Sequence, residues 1–279
     1  MIEIFHQVSE SCSKIVAESY SSSFSAAIRL LHKDLRAPIR NIYGFVRFAD
    51  EIVDTFHEHD KAALLQQFKL ETYDAIEKHI SLNPILHSFQ LTVNEYDIEH
   101  SLIDAFFHSM ELDLTKKVYN KEEYEDYIFG SAEVVGLMCL KIFCKADNAK
   151  FEQLKAPAKA LGAAFQKVNF LRDAKADFQN LSRVYFPACD LHHFSEVDKK
   201  IIEADIQEDF DKAYKGILQL PVSARLGVYI AYKYYYSLFK KIKRTKPSVI
   251  MQKRIRIPDY YKALIVLKAG VKNRFRMIG

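Results

Sequence analysis

The chain has 279 residues, 49% of them hydrophobic and 27% charged, with only 8 Gly and 7 Pro. That length can bury a large core, and so few turn formers exclude an all-β sandwich or barrel, which needs a turn about every ten residues. Net charge is +4, yet fourteen Lys/Arg from Lys233 to Gly279 stand against one acid, Asp259, so the remainder is net acidic. Helical periodicity runs from end to end. Residues 11–32 are predicted as a helix broken and restarted at Ser21, Ser22 and Ser23. Residues 36–57 form a second, with Pro38 near its first turn, where a missing N–H is tolerated. Residues 60–80 form an amphipathic third, which Asn83-Pro84 stops. Further helices are predicted at 86–94, 98–114, 121–145, 149–179, 195–219 and 222–243, with a loop at 180–194 and a helical tail beyond Pro258. The most apolar stretch, Tyr127 to Cys144, carries Glu133 and Lys141 and is read as a buried core helix rather than a membrane span. No run alternates with period two, so the fold class is all-α. No Pro/Gly/Ser-rich linker or repeat interrupts residues 1–279, which are expected to form a single domain.

Two helices carry the chemistry. In the first, Arg40, Tyr43, Arg47, Asp50 and Asp54 are spaced 3, 4, 3 and 4, which aligns them in one stripe. The other faces carry Ile42, Phe45, Val46, Phe48, Ala49, Ile52 and Val53, so the helix is expected to be buried and its polar stripe to face a polar cavity. Two carboxylates one turn apart repel each other there unless a cation joins them. In the second, Gly162, Gln166, Asn169, Asp173 and Asp177 repeat the pattern beside Leu161, Ala164, Phe165, Val168 and Leu171. A lone Asp-x-x-x-Asp usually lies on a solvated face. Two, each in line with Arg, Tyr, Gln or Asn on an apolar helix, suit Mg²⁺ that takes phosphate oxygens as its other ligands. The arginines beside them suit the phosphates directly.

Asp50-Glu51-Ile52-Val53-Asp54 and the run from Asn169 to Asp177 resemble the two aspartate motifs of the squalene and phytoene synthase family, the bacterial phytoene synthases most of all. Tyr20-Ser21-Ser22-Ser23-Phe24, Tyr43-x-x-x-Arg47 and Arg183-Val184-Tyr185-Phe186-Pro187 match in order, over residues of about 15 to 245. The resemblance implies an isoprenoid-synthase-like helical bundle around a central cavity. It implies a prenyltransferase that joins two prenyl diphosphates head to head, giving phytoene in carotenoid biosynthesis from geranylgeranyl diphosphate, or squalene or dehydrosqualene from farnesyl diphosphate. It places Mg²⁺, with Mn²⁺ as a substitute, on Asp50, Asp54, Asn169, Asp173 and Asp177. Ser21, Ser23, Tyr43, Arg47, Gln166 and Arg172 would bind or position diphosphate, with Phe24 near the reacting carbons. Tyr43 is also a candidate to orient the final proton loss. Ser22 departs from relatives with a basic residue there, and Lys246-Pro247-Ser248-Val249 lacks the tyrosine that several relatives carry. No glycine-rich dinucleotide loop is visible, so no NADPH is expected.

Rival readings are a head-to-tail prenyltransferase or terpene cyclase, which usually carries Asp-Asp-x-x-Asp, and a non-catalytic helical assembly protein. Gly130, Ser131, Ala132 and Gly136 suit either close helix packing or a cavity wall. Tyr232, Tyr234, Tyr235, Tyr236 and Phe239 are read as core and surface aromatics, and His192-His193 with Cys189 and Asp190 as a solvated loop. The four cysteines form no CxxC and read as reduced thiols. The first ten residues are not a signal peptide, so a cytoplasmic protein is expected. Its basic end suits a solvated surface or peripheral contact at the inner membrane face; no motif supports nucleic acid.

Overall fold

Caps and chain breakers set the helix borders. The computed structural model describes residues 1–145, 147–181, 185–187 and 194–274, and the side chains of these except 176–181, 259, 263 and 270–274. Helix α1 (Ile2–Tyr20) ends at Ser21, whose extended backbone and side chain, accepting from the Phe24 N–H, start α2 (Ser22–Ile28). Then come α3 (Lys33–Thr55), α4 (Lys61–Lys78), α5 (Pro84–Tyr96) and α6 (His100–Thr115). Asp60 caps α4, and Asn83 with Pro84 opens α5. Next follow α7 (Lys121–Ile128), a π-helical turn Phe129–Glu133, α8 (Val134–Cys144) and α9 (Asn148–Leu181). The last four are α10 (Glu196–Ile217), α11 (Val222–Lys243), α12 (Pro247–Ile250) and α13 (Asp259–Arg274). Capping boxes Asn120/Glu123 and Ser195/Asp198 open α7 and α10. Among the described residues no β structure exceeds a single bridge residue, Val118.

The all-α reading holds, with three local corrections. Helix α1 begins at Ile2, not near residue 11, because it packs on α3 and α5 through Ser9, Ser13 and Ala17. Ser13 lies against Gly44 and shares a 2.7 Å hydrogen bond with Ser88, a contact without apolar periodicity. Pro38 sits in the second turn of α3. The expected 121–145 helix is broken by the π turn where it passes α6: a Cβ on Gly130 would lie 2.4 Å from the Ala105 carbonyl oxygen. This Lys121–Cys144 stretch is the one described helical segment long and apolar enough to cross a membrane, and most of it is packed inside the protein.

Behind the acid stripe of α3, Phe45 stacks on Phe89 with centroids 3.9 Å apart and meets Phe68, Phe106 and Phe107. These rings anchor α3 on α4, α5 and α6 and leave its polar stripe facing the other way. Helices α8 and α9 pack closely, and α10 and α11 flank α9. The small residues serve both expected purposes. A Cβ on Gly162 would meet the Ala132 carbonyl oxygen at 2.5 Å, and one on Gly136 the Ala158 carbonyl oxygen at 2.8 Å, while Ser131, Ala132 and Gly136 also line a cavity.

Candidate active site

The cavity measures about 610 Å³ and is walled by α2, α3, α6, the π turn, α8, α9, α10 and α11. Along α9 its lining runs from Leu154 to Asp173, about 28 Å at 1.5 Å per residue. In helix register, the acids of α3 and α9 stand at one end. Apolar residues such as Leu31, Leu140, Phe143, Leu154, Ile217 and Leu220 line the rest. An open groove of about 620 Å³ on α10, lined by Lys200, Glu203, Glu208, Asp211 and Lys212 among others, contains no motif residue.

The structure brings Ser21, Phe24, Tyr43, Arg47, Asp50, Asp54, Gln166, Asn169, Arg172 and Asp173 to this cavity. Ser23 and Arg40 are not among the lining residues, and Arg40 lies instead within the field of Glu18, Arg36 and Arg29. Asp177 continues the α9 stripe by register, but its side chain lies outside the described residues, as do Arg183, Val184, Cys189, Asp190, His192 and His193.

Asp50 keeps 34% of its side chain open. Burial first, then Asp54 and Asp113, push its carboxyl up to about 7, against the pull of Arg47. Arg47 pairs with Glu51, stands 4.0 Å from Asp50, and lies over the Tyr20 ring at 4.3 Å. Burial works against the Arg47 charge, but Glu51, Asp50 and Tyr43 together outweigh it and raise the pKa. On the other wall Asp173 is gripped by two arginines: its neighbour Arg172, and Arg254, whose Nε is 2.7 Å away. Burial raises Tyr43 to about 12, and its ring stacks on Phe24 with centroids 4.9 Å apart.

Four lining residues were not singled out by the sequence reading. Asp113 on α6 is buried and accepts hydrogen bonds from the Tyr127 hydroxyl at 2.7 Å and the Tyr185 hydroxyl at 3.5 Å. Its signal was available: it continues the spacing of the apolar stripe Phe106, Met110. Arg254 had no such signal, because it reaches the site from a non-helical segment. Tyr235 was read as core or surface and instead lines the cavity, stacked on Phe165 at 3.9 Å. Cys139 also faces it, with a thiol that burial pushes up to about 12 and so holds neutral.

Among the described residues no three His, Cys, Asp or Glu side chains stand close enough to hold an ion alone. The described motif acids stand on two helices, Asp50 and Asp54 on α3 and Asp173 on α9, an arrangement suited to Mg²⁺ that would complete its shell with phosphate oxygens and water. One further observation fits. The Ser131 hydroxyl donates to the Tyr127 carbonyl at 2.7 Å, so it can only accept from Gln166 Nε2 at 3.3 Å. Gln166 Oε1 then accepts from Asn169 Nδ2 at 3.4 Å, which leaves Asn169 Oδ1 buried without a protein partner. An oxygen in that state costs about 1–3 kcal/mol unless a ligand meets it.

A sequence model described as Squalene/phytoene synthase matches residues 17–260. The phytoene synthase of Arthrospira platensis is 24% identical, covering 95% of this chain and 93% of its own. The presqualene diphosphate synthase of Rhodopseudomonas palustris is 28% identical, over 66% of this chain and 65% of its own. A solved dehydrosqualene synthase in complex with ligand superposes with a TM-score of 0.81 at 18% identity, over 96% of this chain and 98% of that one.

Proposed function

The chain belongs to the squalene/phytoene synthase family of prenyltransferases, and from that premise we propose that it joins two geranylgeranyl diphosphates head to head into phytoene, through a cyclopropylcarbinyl diphosphate. The observation that carries this reading is one cavity with acid-bearing α3 and α9 at its polar end and an apolar remainder about 28 Å deep along α9. Residues 1–279 act as one catalytic unit.

Asp50, Asp54, Asn169, Asp173 and Asp177 would hold Mg²⁺, which supplies charge neutralisation for a departing diphosphate. Arg47, Arg172 and Arg254, which pair with carboxylates, would bind phosphate oxygens as well. Ser21 and Gln166 position the same group, and Ser23 would act from outside the lining. The apolar walls keep water from the allylic cation, and the ring faces of Phe24, Tyr43, Phe165 and Tyr235 stabilise it. Tyr43 keeps its proton at neutral pH, which makes it a hydrogen-bond donor that orients the final step. The proton then leaves to the released diphosphate, with no hydride from NADPH.

Similarity to a presqualene diphosphate synthase favours a second reading, in which two farnesyl diphosphates are joined. Incubating the protein with Mg²⁺ and each diphosphate separately, followed by mass spectrometry of the hydrocarbon, tests both. A C40 triene from geranylgeranyl diphosphate supports the first, and a C30 product from farnesyl diphosphate alone supports the second. A linear head-to-tail diphosphate, a cyclic terpene or no turnover removes both.

A further inference from the structure

Contacts between helices fix which residues close the apolar end of the cavity. A Cβ on Gly162 would meet the Ala132 carbonyl oxygen and one on Gly136 the Ala158 carbonyl oxygen, so α8 and the π turn run antiparallel to α9, in step with it. One turn further in the same register sets Leu140 opposite Leu154. Gly216 of α10 lies against Pro157, and Gln153 Nε2 donates to Gln219 Oε1 at 2.8 Å. Helix α10 is therefore also antiparallel to α9, and it brings Ile217 and Leu220 to the level of Leu154. Leu140, Leu154, Ile217 and Leu220 all line the cavity and are at most 6% exposed, which makes them its floor. Gln153 and Gln219 are exposed just beyond it.

Helix α9 then serves as a ruler. An extended chain advances about 1.2 Å per bond, since a residue of three backbone bonds spans about 3.3–3.6 Å. Each isoprene unit adds about four bonds, or about 5 Å, which is about three residues of helix at about 1.5 Å each. Geranylgeranyl diphosphate has about twenty bonds end to end and spans about 24 Å. In a cavity that runs about 28 Å along α9 from Asp173, its last unit falls in the turn from Ala158 to Leu154. A farnesyl chain ends about 5 Å higher, short of Ala158. Ala158 lines the cavity at that border. Gly136 meets the carbonyl oxygen of Ala158 and not its Cβ, so the packing of α8 on α9 does not by itself call for a small side chain there.

We propose that the turn from Ala158 to Leu154, faced by Leu140, is the subsite of the fourth isoprene unit, and that Ala158 is the residue that sets chain length. Its methyl group leaves the passage open to a C20 tail, and a larger side chain closes it and stops the tail at C15. The inference rests on the proposed function and deepens it, because it names the stretch of wall that separates the two candidate substrates.

The test is isothermal titration calorimetry of the full chain with Mg²⁺ and the farnesyl and geranylgeranyl thiolodiphosphates, in which sulfur replaces the bridging oxygen and blocks ionisation. It reads binding without turnover. The wild type should bind both analogues. Ala158→Phe should hold the C15 analogue within about threefold of the wild type and bind the C20 analogue at least about tenfold more weakly, with an unchanged circular dichroism melt. Leu140→Trp, which fills the same turn from the facing helix, should discriminate in the same direction. Should either variant melt early, Ala158→Val is a smaller step and should still weaken the C20 analogue alone. With the reactive diphosphates, Ala158→Phe should make a C30 hydrocarbon and no C40 one. Variants that bind both analogues like the wild type, or that lose both equally with an intact melt, would overturn the subsite and leave the proposed function standing. A wild type that binds neither analogue would overturn both.

Discussion

Asp50 is the residue on which the polar end turns. Its folded pKa near 7 lies above the ordinary carboxylate value of 3.8, so the folded state holds a proton that the unfolded chain releases. Stability from this group is therefore full below about pH 4 and is lost as pH rises through about 7. Without metal, Asp50→Asn should melt higher than the wild type at pH 8 and match it at pH 4, as read by calorimetry. With Mg²⁺ and substrate, the same variant and Asp173→Asn should each lose at least about a hundredfold in turnover with helicity intact. A wild-type rate at saturating Mg²⁺ would remove those acids from the site. Ser131 acts one step back, through Gln166 on Asn169. Ser131→Ala should raise the Mg²⁺ concentration for half-maximal rate several-fold and spare kcat at saturating metal, with Ser131→Thr restoring it. A fall in kcat alone would show that the chain of amides does not orient Asn169.

At the level of helices, close approach rather than apolar bulk shapes the cavity walls. A Cβ on Gly216 of α10 would lie 2.2 Å from Pro157 Cβ of α9, and the proline ring cannot swing aside. An ordinary helical glycine gains about 0.5–1 kcal/mol on replacement by alanine. Gly216→Ala should instead cost about 1–3 kcal/mol, because the helices must separate. A denaturant melt gives the sign directly, and a stabilised variant would mean that α9 and α10 do not meet so closely. The same kind of contact explains why the start of α1 escaped the sequence reading. Ser9, Ser13 and Ala17 make its inner face, and small polar residues leave no hydrophobic period. Helices α3 and α11 were legible because apolar periodicity and, in α3, the stripe from Arg40 to Asp54 are local signals, and Asn83-Pro84 marked the break between α4 and α5.

For the molecule as a whole, the proposed chemistry ends by proton loss, which predicts the same product with and without NADPH. Geranylgeranyl diphosphate and Mg²⁺ should give a conjugated triene, seen by its ultraviolet absorbance, equally in both tubes. Turnover that stalls at the cyclopropyl diphosphate until NADPH is added would point to a squalene-type synthase. The sequence by itself determined the helical class, most helix positions and both acid stripes, because periodicity and i, i+4 spacing are properties of a single helix. Only the tertiary structure decided that those stripes share one cavity and that Asp113 sits within the field of Asp50. It also decided that Arg254 closes on Asp173 from 81 residues away, that Tyr235 belongs to the lining, and that Ser23 and Arg40 do not. Such partners come from different helices, and the angle and depth at which helices pack are set by side-chain interlocking across the whole core, which no local spacing encodes.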